Sequence, residues 1–167
     1  MAGRRQHDFD KAVERRLGPM SHDLDLGAFQ AVWLLHQAAD AARRYLEGAA
    51  LSRFGLSWTK FEVLWHLWIF GEDEPRHICH AIGIPKSSLT TTVVQLEAAG
   101  YVRRRSSAED GRRVIVTITK KGTVFMGKVF PGFNLAESQL IGGLSTDQTD
   151  QLASLLRLVI DQEHRQD

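Results

Sequence analysis

A mainly α (α+β) fold is predicted by three features of the 167-residue chain. Apolar residues recur at three- and four-residue steps through most of its length. Gly and Pro punctuate residues 55–100 into three short helices. After Gly100 the pattern changes once, to alternation of Val114, Val116 and Ile118 with Arg113, Ile115 and Thr117, before helical spacing returns. Three short helices followed by a basic hairpin make a winged helix-turn-helix, here with long helices at both ends.

Residues 8–17 read as a short first helix carrying Phe9, Val13 and Leu17, broken by Gly18-Pro19. A long helix follows over about 24–50. Its stripe of Ala28, Val32, Leu35, Ala39, Ala42, Leu46 and Ala49 suits either a core or a face packed on a second subunit. Ser57 is the expected N-cap of a helix ending at Phe70-Gly71. Pro75 opens a short helix through Ile82, with Gly83 after it. Pro85 and Lys86 open another to about Ala98, stopped by Gly100. Tyr101 to Arg105 and Val114 to Ile118 form a two-stranded hairpin around the polar turn Ser106–Gly111. Thr119 caps the next helix, which Pro131-Gly132 should kink or interrupt. Ser145 with Gln148 makes a capping box for a last helix bearing Leu152, Leu155, Leu156, Val159 and Ile160.

Net charge is +1, with 21 basic and 20 acidic residues, and argues neither for nor against a polyanion partner. Its distribution says more. Between Lys86 and Lys121 stand eight basic residues and three acidic ones, so this segment carries +5 and the remainder −4. A local polyanion contact requires such a basic region. No apolar run is long enough to cross a bilayer, and the charged start is not a secretory signal, so no membrane partner is expected. One cysteine, Cys79, excludes an intrachain disulfide and fits a reducing cytoplasm. Gly-rich phosphate loops, a Ser-His-Asp order and paired carboxylates are absent, so neither an enzyme nor a cofactor is expected.

The helix from Lys86 is narrow enough for the major groove. Its N-terminus, Lys86-Ser87-Ser88, favours a phosphate through free N–H groups and the helix dipole. Thr90, Thr91, Thr92 and Gln95 present short hydrogen-bonding groups and methyls to bases. Arg112, near the hairpin tip, suits a narrow, electronegative minor groove, with Asp110 two residues away to orient it. Arg113 adds charge for phosphate.

These residues match a family. GLSWTKFEVLWHLW, IGIPKSSLTTTVVQLEAAGYVRRR and SSAEDGRRVIVTITKKG resemble the MarR family of bacterial transcriptional regulators, closely over Gly55 to Gly122 and by helix placement beyond. Asp110-Gly111-Arg112-Arg113 leading to Thr119-Lys120-Lys121-Gly122 is the most specific part. The resemblance implies a homodimeric repressor on palindromic double-stranded DNA, released by a small aromatic or phenolic ligand. Its implied organisation is an N-terminal extension over 1–23, a dimerisation helix over 24–54, the DNA-binding domain over 55–122 and C-terminal dimerisation helices over 123–167. Many relatives carry Arg at the positions of Thr91 and Gln95. Both are neutral here, which shifts weight to Lys86, the wing arginines and DNA shape.

All four tryptophans lie between residues 33 and 68. Trp58, Phe61 and Trp65 share a helix face that suits either a core or a pocket. The resemblance implies an effector cavity with Trp33 and His36 on one wall and Trp58, Phe61 and Trp65 on the other, where His36, His66, Arg43 or Arg44 meets a carboxylate. His77, Cys79 and His80 offer an alternative, a metal- or redox-responsive regulator of the same fold. Their spacing is not a zinc signature, so no metal site is assigned.

Overall fold

The computed structural model describes residues 2–20, 22–106 and 113–163, with backbone alone at 2–7, 10 and 163. Asp110 and Arg112 lie outside the described residues. The chain divides into two compact units, residues 1–41 and 42–167.

In the first unit, α1 spans Ala2–Leu17 and α2 begins at Leu26. α1 starts six residues earlier than predicted. Nothing between Ala2 and Leu17 breaks a helix apart from the weak former Gly3, and Arg4, Arg5 and Gln6 are good helix formers, so polar residues extend it beyond its apolar positions. Gly18-Pro19 ends it as expected. Trp33 of α2 stacks on Phe9 of α1 with centroids 4.8 Å apart.

α2 runs to Leu46. Most of its predicted stripe is exposed in the single chain, including Ala28, Val32 and Ala39, and only Leu46 is buried. A π-helical turn over Glu47–Leu51 then adds a residue to the helical count. The phase shifts, and Ala50 and Leu51 enter the core in place of the predicted Ala49.

The second unit is built around α3 (Trp58–Phe70), whose Val63, Leu64 and Leu67 are fully buried. Ser57 caps it by accepting from the Lys60 N–H at 3.4 Å. α4 (Pro75–Ile82), α5 (Lys86–Ala98) and α6 (Lys120–Leu140) pack on it and supply Ile78, Leu89, Leu96, Met126 and Val129 to one core. Thr119 caps α6 by accepting from the Gly122 N–H at 3.0 Å. α7 (Thr146–Glu163) opens on the predicted capping box. The Ser145 N–H donates to Gln148 at 2.9 Å, and the Gln148 N–H donates to the Ser145 hydroxyl at 3.3 Å. Among the described residues no helix is long and apolar enough to cross a membrane.

The structure refines two predictions. α6 is not interrupted at Pro131-Gly132 but continues through both to Leu140. Proline removes one backbone hydrogen bond there, yet buried Met126 and Val129 before it and Phe133 and Ala136 after it hold both halves against the same core. The hairpin pairs its two strands as predicted but does not stand alone. β2 (Val102–Ser106) and β3 (Val114–Ile118) are joined by β1 (Glu72–Asp73), giving the antiparallel order β1-β3-β2. β1 pairs Glu72 with Thr117 and Asp73 with Val116, so the root of the hairpin is fastened to the segment between α3 and α4.

Candidate nucleic-acid interface

α4 and α5 are separated by a turn of three residues. Gly83 adopts φ +67°, a left-handed conformation that costs a side-chain-bearing residue about 1–2 kcal/mol. The chain then returns through Ile84, whose N–H donates to the Cys79 carbonyl at 3.1 Å. α5 buries Leu89, Thr92, Val93 and Leu96 and exposes Lys86, Ser87, Ser88, Thr90, Thr91 and Gln95. The predicted contact residues thus share one solvent face, with the exception of Thr92. That residue faces the core, where its hydroxyl donates to the Ser88 carbonyl at 2.8 Å. Thr90 and Thr91 also donate backwards, to Lys86 at 2.9 Å and Ser87 at 3.2 Å. Their outward offer is acceptor lone pairs and methyl groups, which suit a cytosine amino group and a thymine methyl. Pro85 occupies the N-cap without a side-chain bond, and the first N–H groups of α5 point out unpaired among the described residues.

Three arginines of the hairpin are paired with carboxylates. Arg104 donates to Glu97 of α5 through Nε at 2.9 Å and Nη2 at 2.6 Å, and its backbone N–H adds a third bond at 2.9 Å. The Arg104 side-chain bond is the main cause holding the Glu97 carboxyl below its usual range. Arg105 is paired with Glu72 of β1 at 2.6 Å. Arg113 is paired with Glu74, which Arg76 also approaches at 3.2 Å. Arg113 was expected on phosphate. In the single chain its charge is already engaged by a carboxylate that only the fold brings near.

The predicted effector residues belong to two different units. Phe61 is buried and stacks on Phe133 of α6 at 4.1 Å, and Trp65 stacks on Phe130 at 4.9 Å. Trp58 lies 6.2 Å from Phe133. The Trp58, Phe61 and Trp65 face therefore packs largely as core against α6. His66 is buried too, and its Nε2 lies 2.9 Å from Asp73 Oδ2. Trp33 and exposed His36 belong to the first unit, where Trp33 helps line a cavity of about 170 Å³. His77 Nδ1 is 2.9 Å from the other oxygen of Asp73, Cys79 is half-buried and His80 is exposed. Among the described residues no three His, Cys, Asp or Glu side chains are grouped to hold a metal. A further cavity of about 360 Å³, lined by Tyr101, Phe125 and Lys121 among others, carried no sequence signal.

Glu62 of α3 provides a pH test of the scaffold. Burial raises its pKa, more than the Trp58 hydrogen bond and the Arg43 charge lower it. The folded state then holds this proton more tightly than the unfolded state, so ionisation costs stability as pH rises through the raised value. Glu62→Gln is expected to be more stable than the parent at neutral pH. The gap should close as acid protonates the parent below its ordinary pKa of 4.5. Thermal melts at pH 4 and pH 7 measure it.

The geometry of α4, the turn, α5 and the hairpin has counterparts in known proteins. The model of the MarR family matches residues 54–113. Over 160 residues the chain is 31% identical to the HTH-type transcriptional regulator YwaE of Bacillus subtilis, covering 96% of this chain and 93% of that protein. The chain belongs to the MarR family. It is a DNA-binding transcriptional regulator with a winged-helix fold. The crystal structure of a cysteine-to-serine mutant of Escherichia coli MarR with operator DNA superposes with a TM-score of 0.72 at 22% identity, over 81% of this chain and 97% of that one. A structure of Bordetella bronchiseptica BpsR, described by its regulation by 6-hydroxynicotinic acid, superposes with a TM-score of 0.70 at 22% identity, over 77% and 91%.

Proposed function

We propose that this MarR-family regulator represses transcription in the cytoplasm as a homodimer on a palindromic duplex and is released by a small aromatic or phenolic ligand. The observation that carries the DNA half is the division of α5. One face is locked in the core, and the other presents Lys86, Ser87, Ser88, Thr90, Thr91 and Gln95 beside a cationic hairpin. Two copies would set these faces about 34 Å apart, one turn of DNA. Arg112 enters the minor groove with Asp110 orienting it, and Lys86 and Arg113, the latter at the turn end of the wing, neutralise phosphate. Bound to the promoter, such a dimer denies the site to polymerase.

Pairing is supported by α7. Leu155, Leu158, Val159 and Ile160 are each more than half exposed, and α7 packs little on the rest of the described chain. The ligand is supported by the aromatic content of α2 and α3 and by the likeness to BpsR. Within the second unit Phe61 and His66 are buried while Trp58 and Trp65 keep part of their rings exposed, and within the first unit Trp33 is half-buried beside exposed His36.

One titration tests both halves. A duplex from upstream of the chain's own coding region should bind, and six to ten phosphate contacts per dimer would weaken it about 10³-fold or more between 50 and 200 mM salt. An aryl acid should quench tryptophan fluorescence and release the duplex, by no more than its differential affinity for the two states. Salt-independent binding would point to a protein-contact role instead. An aromatic-acid panel that neither quenches nor releases would remove the effector.

A further inference from the structure

The register of the sheet sorts its side chains. Thr117 stands opposite Arg103 on one side and Glu72 on the other, and Arg105 stands opposite Ile115. With a period of two, these five residues share one face. The other face carries Val102 and Val116, both buried, so the face with Arg103, Arg105 and Glu72 is the outer one. Across it, Arg105 Nη2 on β2 reaches over β3 to donate to Glu72 Oε1 on β1 at 2.6 Å, while the Thr117 hydroxyl donates to Glu72 Oε2 at 3.1 Å. Glu72 is thus one carboxylate set against two guanidinium groups, and both of its oxygens are engaged.

Folding has little need of this pair. Both side chains are well exposed, at 38% for Arg105 and 48% for Glu72, and water screens such ion pairs. The same exposure leaves Arg105 within reach of a polyanion approaching the hairpin. We propose that Glu72 is an intramolecular stand-in for a DNA phosphate. It occupies Arg105 in the free protein, gives it up when the wing meets the duplex, and so sets how tightly the wing binds. The inference rests on the reading of the hairpin as a DNA-contacting wing. Hydrogen bonds from Arg105 and then Thr117, with the charge of Arg103 adding to them, hold the Glu72 carboxyl below its usual range, so it stays a full competitor at physiological pH. Glu72 is a positioning residue here. It touches Arg105, and Arg105 would touch the phosphate.

The test is a salt series of duplex-binding isotherms, using DNA from upstream of the coding region, for the parent, Glu72→Gln, Arg105→Ala and the double variant. Glutamine keeps an oxygen for Arg105 and removes the charge. Glu72→Gln should bind about three- to tenfold tighter at moderate salt. It should also steepen the slope of log K against log salt by about one for each further phosphate neutralised. In the Arg105→Ala background the same change should alter affinity less than twofold. Unchanged or weaker binding by Glu72→Gln, with parental melting, overturns the proposal. So does an equally large effect without Arg105, which would show only that a negative charge left the surface. Arg112→Ala reports on the wing itself. Parental affinity in that variant overturns both readings, whereas a weakened Arg112→Ala beside an inert Glu72→Gln removes the role of Glu72 alone.

Discussion

Gly122→Ala is expected to cost about 2–4 kcal/mol of folding stability, a large share of the roughly 5–15 kcal/mol typical of a domain. Gly122 is buried in the first turn of α6. A Cβ there would run into the Tyr101 carbonyl oxygen and lie 2.8 Å from Ile118 Cγ1. A flexible side chain could move aside, but Tyr101 cannot. Its carbonyl accepts from the Thr119 N–H at 2.9 Å and the Thr119 hydroxyl at 3.1 Å, and that same hydroxyl accepts from Gly122. The collision falls where the end of α5, both long strands and the start of α6 converge, so any relief shifts the recognition helix or the wing. Gly127→Ala supplies the contrast. It lies further along α6 with nothing within 4 Å of the added carbon, and should stabilise by about 0.5–1 kcal/mol through the unfolded state. Urea unfolding of the two variants measures the difference.

That contrast also marks what the amino-acid sequence makes legible. Caps and stops are local chemistry, so Ser57, Gly71, Pro75, Gly83, Thr119 and Ser145 bound their helices where their own hydrogen-bonding and backbone preferences place them. The exposed face of α5 follows from the same reasoning, because helical spacing sorts Leu89, Val93 and Leu96 from Ser87, Thr91 and Gln95. Thr92 falls on the buried side of that division, although its residue type suggested the other. β1 is invisible for a different reason. Two consecutive acidic residues have no strand pattern, and they pair only because the free edge of β3 lies beside them. The same holds for side-chain partners. Nothing near Arg113 in the chain announces Glu74, and nothing near Trp65 announces Phe130, whose ring makes its face core. Spacing shows that Trp58, Phe61 and Trp65 share a face, but what covers that face is a long-range fact.

The second large effect concerns α7. Replacing Leu155 and Val159 together by aspartate is expected to leave a monomer at micromolar concentration that binds the operator at least about 10²-fold more weakly. Leu155 is 54% exposed and Val159 53% exposed, four residues apart on one stripe. A run of exposed apolar side chains on a helix with few partners of its own marks an interaction surface, and each such side chain is worth about 1.5–3 kcal/mol on burial. A carboxylate in the seam would forfeit that burial and add the cost of desolvating a charge. DNA affinity should fall with the dimer because a second recognition helix binds as an intramolecular event, at an effective concentration of about millimolar. The core of the DNA-binding part draws on Leu64, Leu67, Ile78, Leu89 and Met126, none of them in α7, so circular dichroism should remain parental. Sedimentation and duplex binding then read one cause. A dimer that survived both aspartates would show that α7 is not the seam, and a folded monomer with parental affinity would show that the operator is recognised one subunit at a time.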